Sequence, residues 1–203
     1  MEFDLFILAA DKTMCLTLRA ILSRPQSLGT RWIDANVQFH PRHDPGVLRE
    51  GHDFLRSWQA RASHALVMFD RKGCGSAHTR EALELDVKGR LERSGWKDRC
   101  DAVVIDPELE AWFWSDSLHV EKAVGFRGRE QLDAWLIAEG HLHQGERKPR
   151  QPKEAVLQAL RQSKIPFSPS IYYDLAARVS FERCADAAFS KLRSVLNVWY
   201  PPE

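Results

Sequence analysis

Four short apolar runs alternate with segments of helical periodicity in the first half of the chain, and this alternation limits the possible folds more than any other feature. The clearest run is residues 65–69, ALVMF, which ends at Asp70. Residues 3–10, 31–39 and 102–105 are the other predicted strands. Strands this apolar are typical of sheets buried on both faces, and helices between them imply parallel pairing with right-handed crossovers. We therefore expect an α/β fold with a parallel sheet of about four strands flanked by helices.

The second half of the chain has helical periodicity and no strand pattern. Residues 129–139 predict a helix that stops at Gly140, and residues 141–152 are polar, basic and proline-containing, as in a loop or linker. Helical spacing of apolar residues returns beyond this segment. We expect an α/β domain over residues 1–116 and a helical C-terminal extension over residues 117–203.

Composition excludes several classes of protein. The 203 residues include 29 Lys and Arg against 28 Asp and Glu, so the formal net charge is +1 and any nucleic-acid contact has to be a local patch. The longest apolar run, residues 5–10, is too short to span a membrane, and no Lys or Arg precedes it as in a signal peptide. The four cysteines form no C-x-x-C pair, which is typical of reduced thiols. We expect a cytoplasmic protein without membrane contact.

An acidic residue follows every predicted strand. Because the carboxyl ends of parallel strands meet at one edge of a sheet, where ligands bind in open α/β folds, these acids should converge. Convergent carboxylates suit Mg²⁺ or Mn²⁺, which then hold phosphate oxygens. The alternative is that each acid starts a turn or caps a helix. The acids are Asp11, Asp44, Asp70, Asp106, Glu108 and Glu110.

Three of these strand ends resemble the TOPRIM domain. The matching segments read FILAADKT, ALVMFDRKGCG and VVIDPELEAW, and the tail SIYYDLAARVSFERCADAAFSKLRSVL is similar to the helical end of small proteins in the same branch. That branch includes OLD-type and RloB-type nucleases, and the chain looks most like the small TOPRIM-like component of methylation-associated anti-phage defence systems. The resemblance implies a TOPRIM-like sheet, a defence function and work alongside other defence-system subunits.

The chain departs from the TOPRIM pattern at two positions. The family has a glutamate after the first strand as general acid or base, and here the shorter Asp11 stands nearby, shifted by one residue. After the third strand the family has an Asp-x-Asp pair for metal, and here Asp70 is followed by Arg71 and Lys72. A lysine ammonium at the second acidic position repels Mg²⁺ and attracts phosphate.

Two interpretations of this site remain open. In one, Asp70 and an acid from the fourth strand end bind one Mg²⁺, Lys72 stabilises the phosphoryl charge, and the protein is a Mg²⁺-dependent nuclease. In the other, which we favour, Lys72 pairs with an acid and the degenerate metal site serves only for binding, because both the acid-base glutamate and a metal ligand are missing. The candidate catalytic residues are Asp11, Asp70, Lys72 and Glu108, and the candidate metal ligands are Asp70, Asp106, Glu108 and Glu110.

One dense basic segment lies between the predicted domain and its extension. It consists of Arg147, Lys148, Arg150 and Lys153. Such a run is usually a solvated linker, but next to an acidic edge it could hold the phosphates of DNA or RNA, or dock a partner protein. We carry it forward as the candidate nucleic-acid-binding segment.

Overall fold

The computed structural model describes residues 1–114, 118–146, 148–179, 184 and 186–202. Within these residues the strands form one four-stranded sheet with the order β2-β1-β3-β4, and every neighbouring pair is parallel. The α/β class with a parallel sheet and flanking helices, predicted from the alternation of apolar runs, is therefore confirmed. The strands are β1 (Phe3–Ala9), β2 (Ala35–Phe39), β3 (Ala62–Asp70) and β4 (Cys100–Ile105).

Helices cover both faces of the sheet and continue into the C-terminal part of the chain. Those that cross between strands are α1 (Lys12–Leu22), α2 (Pro25–Leu28), α3 (His43–Phe54) and α4 (Arg80–Leu91). Those beyond the sheet are α5 (Leu118–Ala123), α6 (Arg129–Ala138), α7 (Pro152–Gln162), α8 (Pro169–Arg178) and α9 (Ala187–Trp199). A short 3₁₀ helix, Leu109–Trp112, follows β4. None of the described helices combines the length and apolarity needed to cross a bilayer.

The second strand is shorter than its apolar pattern predicts. The prediction began at residue 31, whereas β2 begins at Ala35. The residues before it are held by other partners, because the Arg31 guanidinium pairs with Asp4 at 2.8 Å and the Asp34 N–H donates to the same carboxylate at 3.1 Å. The side chain of Trp32 consequently lies on the surface, 63% exposed.

The helical extension packs directly on the sheet domain. The α8 helix lies against α1, and the α9 helix lies against β4. The Arg24 guanidinium donates to the carbonyls of Ala176 and Val179 at 2.9 and 2.8 Å. Both predicted parts contribute side chains to one hydrophobic cluster. The predicted boundary at residue 116 lies outside the described residues.

Candidate functional site

Asp11 is the first acid in the sequence at the edge where the carboxyl ends of the strands meet. It lies two residues beyond the end of β1 in extended conformation and caps α1, because its Oδ1 accepts the Met14 N–H at 2.8 Å. One oxygen of the Asp11 carboxylate is therefore used to cap a helix, which was the alternative role predicted for the acids that follow strands. Parallel pairing of β1 with β2 and β3 places Asp11 at the same edge as the ends of those two strands.

Asp70 is a buried acid at this edge. It is the last residue of β3 and is only 7% exposed. Its Oδ1 accepts the Leu109 N–H at 3.0 Å, which ties β3 to the segment after β4. Burial, followed by the neighbouring carboxylates of Asp44 and Glu110, raises the pKa of Asp70 well above its ordinary value. This carboxylate therefore carries its charge at a high energetic cost in the folded protein.

Asp44 is a site residue that the sequence placed at the edge but did not assign to the site. Its Oδ1 accepts the Asp70 N–H at 2.8 Å, so the two acids are adjacent. Its position depends on α3 starting close to the end of β2: a Cβ at Gly46 would lie 2.1 Å from His40 Nδ1, so only glycine allows this approach. Burial raises the pKa of Asp44 despite the bond from Asp70.

Glu110 is buried against the helical extension. The Tyr172 hydroxyl of α8 donates to its Oε1 at 2.9 Å, while its Oε2 is buried without a hydrogen-bond partner among the described residues. Burial raises the pKa of Glu110, and the nearby Lys153 ammonium works in the opposite direction. A buried carboxylate oxygen without a donor is costly, so this atom is the strongest indication of ligand chemistry at the edge.

The other two predicted metal ligands are paired with cations of the chain. Glu108 is buried, and its Oε1 accepts the Lys153 backbone N–H at 3.1 Å and lies 3.5 Å from Lys72 Nζ. Asp106 is exposed, and its Oδ2 lies 2.8 Å from Arg71 Nε. The two cations that follow Asp70 in the sequence thus pair with two of the three acids that follow β4.

The basic segment does not form one continuous surface. The Lys148 ammonium donates to the Ala111 carbonyl at 2.9 Å, and Arg150 pairs with Glu146 at 2.9 Å on the exposed surface. Lys153 is half-buried beside the acids. Arg147 lies outside the described residues. The described members of this segment therefore have three different environments.

The residues at this edge fit a divalent metal centre only in part. Carboxylate oxygens are the ligands that Mg²⁺ prefers, and the free Oε2 of Glu110 beside Asp70 suits it. However, Glu108 and Asp106 are engaged by cations, and Lys153 adds a further positive charge. No three His, Cys, Asp or Glu side chains in the described part of the chain converge as a metal-holding group. The residues do not reproduce the Asp-x-Asp metal pair that the TOPRIM resemblance implies, because Lys72 stands at its second position and pairs with Glu108.

Sequence reasoning did not assign three residues to the site around Asp70 and Glu110, for different reasons. Asp44 had a signal, its place after β2, but that place was equally consistent with an acid that starts a turn or caps a helix. Lys153 also had a signal, because Pro152 marks the first position of a helix and removes the linker interpretation at that point. Tyr172 had none, since its contact with Glu110 joins residues far apart in the chain.

Comparison of the chain with protein-family models, with curated proteins and with solved structures gave no match.

Proposed function

We propose that this chain is a divergent TOPRIM-like component of a prokaryotic anti-phage defence system, which binds nucleic acid or a partner protein through a degenerate metal site. The proposed role in defence and the proposed interaction with other defence-system subunits rest on the resemblance of the strand-end segments to the TOPRIM domain. The proposal that the protein does not cleave nucleic acid rests on one observation: cations pair with two candidate metal ligands, Lys72 with Glu108 and Arg71 with Asp106. An acid already neutralised in this way has less attraction for Mg²⁺.

Positive side chains surround the acids and favour a phosphate backbone as the ligand. We name the set Lys12, Arg42, Arg71 and Lys72 the basic rim. Each member lies within two positions of an acid at the edge, and the side chains of Arg42 and Lys72 are 68% and 52% exposed. Exposed cations of this kind bind phosphates without reading the base sequence. The ion pairs of Arg42 with Glu50, Arg71 with Asp106 and Lys72 with Glu108 match those of the basic segment, so the rim is preferred only for its place beside the acids at the sheet edge.

A Mg²⁺-dependent nuclease is the second candidate function, and the unpartnered Oε2 of Glu110 favours it. In that case Asp70 and Glu110 would hold the ion, which would neutralise charge on a phosphodiester and lower the pKa of a bound water. Clusters of acids with raised pKa, such as Asp70, Asp44 and Glu110, are also frequent at catalytic sites.

A cleavage assay separates the two functions. Plasmid, single-stranded DNA and RNA are incubated with the protein in Mg²⁺ or Mn²⁺, beside the variants Asp70→Ala and Lys72→Ala. The proposal expects no more than trace cleavage, equal in all three proteins. Robust cleavage that disappears in both variants would establish the nuclease instead. Lys72→Asp restores the missing acid and is expected to increase Mn²⁺ affinity, as measured by calorimetry.

A salt series tests the basic rim as a phosphate-binding surface. For duplex DNA, replacing Lys12, Arg42 and Lys72 by alanine should reduce the slope of log affinity against log salt by about 2 to 3, because each neutralised phosphate releases nearly one counterion. The matched comparison is Lys148→Ala with Arg150→Ala, which should change the slope by less than about 1. Binding that depends on the second pair and not on the rim would assign the interface to the basic segment. If the parent protein binds no nucleic acid, the partner-protein form of the proposal is the one retained.

A further inference from the structure

The helices α5 and α8 of the extension pack against each other and leave a cavity of about 250 Å³ between them. One stripe of each helix lines it, with residues at positions i, i+3 and i+4 of α5 and at i, i+3, i+4 and i+7 of α8. Tyr172, the α8 residue that bonds to Glu110, belongs to a different stripe, so the cavity is separate from the acids at the sheet edge. A cavity of this size suits only a small ligand.

One part of the lining is apolar. Leu175 is only 4% exposed and belongs to the hydrophobic core cluster. Ala123 of α5 and Ile171 of α8 are partly buried and pack against the same cluster. A ligand with an apolar group would remove this surface from water, which favours binding.

The lining also contains two cations without a partner. In the part of the chain that the structure describes, neither the Lys122 ammonium nor the Arg178 guanidinium forms an ion pair or a hydrogen bond, and both residues are exposed. Lys148 and Arg150 differ in this respect, because each bonds to a group of its own chain. The two cavity cations are therefore available to an anion from solution.

A single acid lies among these groups. Asp174 is four residues before Arg178 on α8, a spacing at which ion pairs form, yet no such pair is found between the two described side chains. With the imidazole of His119 left uncharged, the lining carries two positive charges against one negative charge. A guanidinium binds two oxygens of an anion at once, and the ammonium can bind a third. A phosphate monoester is largely a dianion above pH 7 and offers three such oxygens, which suits two cations better than a carboxylate does.

We propose that the cavity between α5 and α8 binds a small organic phosphate, with its phosphoryl group at Lys122 and Arg178 and its apolar body against Ile171 and Leu175. The ligand is a free small molecule, because the cavity has room for little more than one ring and its phosphate. This site is additional to the proposed function and uses none of the residues at the sheet edge.

The first test compares ligands by calorimetry at pH 8 and constant ionic strength, with the full chain. Phenyl phosphate combines the anion with an apolar ring, inorganic phosphate lacks the ring, benzyl alcohol lacks the charge, and benzoate carries one negative charge in place of two. We expect phenyl phosphate to bind with a dissociation constant below about 1 mM. Inorganic phosphate and benzoate should each bind at least about tenfold more weakly, and benzyl alcohol should show no measurable binding.

The second test places phenyl phosphate in the cavity. Lys122→Met and Arg178→Met should each weaken its binding by about tenfold or more, because each removes a charged hydrogen-bond donor. Asp174→Asn removes the one negative charge of the lining and should strengthen binding. Arg150→Met, an exposed arginine outside the cavity, is the matched control and should leave the affinity unchanged. Circular dichroism and melting temperature verify that each variant is folded, as expected for changes at exposed side chains.

Several results would overturn the proposal. The parent could fail to bind phenyl phosphate, could bind inorganic phosphate equally well, or could prefer benzoate. Arg150→Met could weaken binding as much as the cavity variants do. Binding that is lost in Lys72→Ala but kept in Lys122→Met and Arg178→Met would place the phosphate at the basic rim instead, which would contradict this inference and leave the proposed function standing.

Discussion

Three acids at the sheet edge each accept one backbone N–H. Asp11 receives the Met14 N–H, Asp44 the Asp70 N–H, and Asp70 the Leu109 N–H. These bonds orient the carboxylates and stabilise the turns around them. Asp44 and Asp70 are thereby held close together, and this proximity makes their ionisation in the folded protein less favourable.

Asp70 is expected to destabilise the folded protein at neutral pH. Because its pKa is higher in the folded protein than in the unfolded chain, the folded state binds more protons, and the free energy of unfolding falls as pH rises from the ordinary Asp range through the folded pKa. Asp70→Asn keeps an oxygen for the Leu109 N–H and removes this penalty. We expect Asp70→Asn to melt about 2–8 °C above the parent at pH 8 in EDTA, as for a gain of about 1–2 kcal/mol.

The control for this pH dependence is Asp106→Asn, which alters an exposed acid of the same edge. Asp106 pairs with Arg71 in a partly exposed position, so its replacement should change stability by less than about 0.5 kcal/mol at any pH. The measurement is thermal unfolding of the three proteins across a pH series. A difference between Asp70→Asn and the parent that stays constant from pH 3 to pH 8, or that favours the parent at pH 8, would show that Asp70 is not strained by its neighbours.

At the level of the elements, β4 is an edge strand whose free side is closed by side chains of two helices. Glu84 of α4 accepts the Val104 N–H at 3.0 Å, and Lys191 of α9 donates to the Ala102 carbonyl. Lys191 also lies 3.0 Å from both Glu84 and Asp101. The network satisfies the backbone groups that a fifth strand would otherwise pair with, and it fixes α9 to the sheet.

Replacing Lys191 should therefore lower the free energy of unfolding. Lys191→Met leaves the buried Glu84 carboxylate without its cation, and removal of one partner of a buried pair costs about 3–5 kcal/mol. Urea unfolding measures this loss. Arg150→Met, which breaks the exposed pair with Glu146, serves as the control and should cost less than about 1 kcal/mol. Equal losses in the two variants would mean that the β4 network does not hold α9.

The strands could be predicted from sequence more fully than the site. A strand of a parallel sheet buried on both faces is a continuous apolar run, so β1 and β3 can be identified from the sequence. Parallel pairing then predicts that the acids after these strands lie at one edge of the sheet. The start of β2 could not be predicted, because the ion pair of Arg31 with Asp4 joins residues that are distant in the chain. The partners of Lys148 and Lys153 are set by packing between distant segments, which a local basic pattern does not reveal.

At the scale of the whole molecule, the C-terminal residues close the end of the sheet opposite the acids. The Tyr200 hydroxyl donates to the Asp4 carbonyl at 2.7 Å and lies 2.9 Å from His64 Nδ1. The ring of Trp199 stacks on His64 with the ring centroids 4.5 Å apart. Together with the contact of α8 on α1, these bonds join the extension to the first and third strands.

We therefore expect the α/β part and the extension to unfold as one cooperative unit. Heating the full chain should give a single transition, with the same midpoint by far-UV circular dichroism and by tryptophan fluorescence. The physical reason is the shared hydrophobic cluster, since neither part keeps its buried surface when the other unfolds. Two separated midpoints would instead favour two independent domains divided near residue 116.

The central proposal is that the acids at the sheet edge are a degenerate metal site, in which Lys72 pairs with Glu108. The most direct test is the Mn²⁺ affinity of the parent, Lys72→Asp and Lys148→Met, measured by calorimetry. Lys72→Asp removes a positive charge beside Glu108 and adds a carboxylate, so we predict that it binds Mn²⁺ at least about tenfold more tightly than the parent, whereas Lys148→Met binds it as the parent does. Equal Mn²⁺ affinity of the three proteins, or tight binding by the parent, would contradict the proposal.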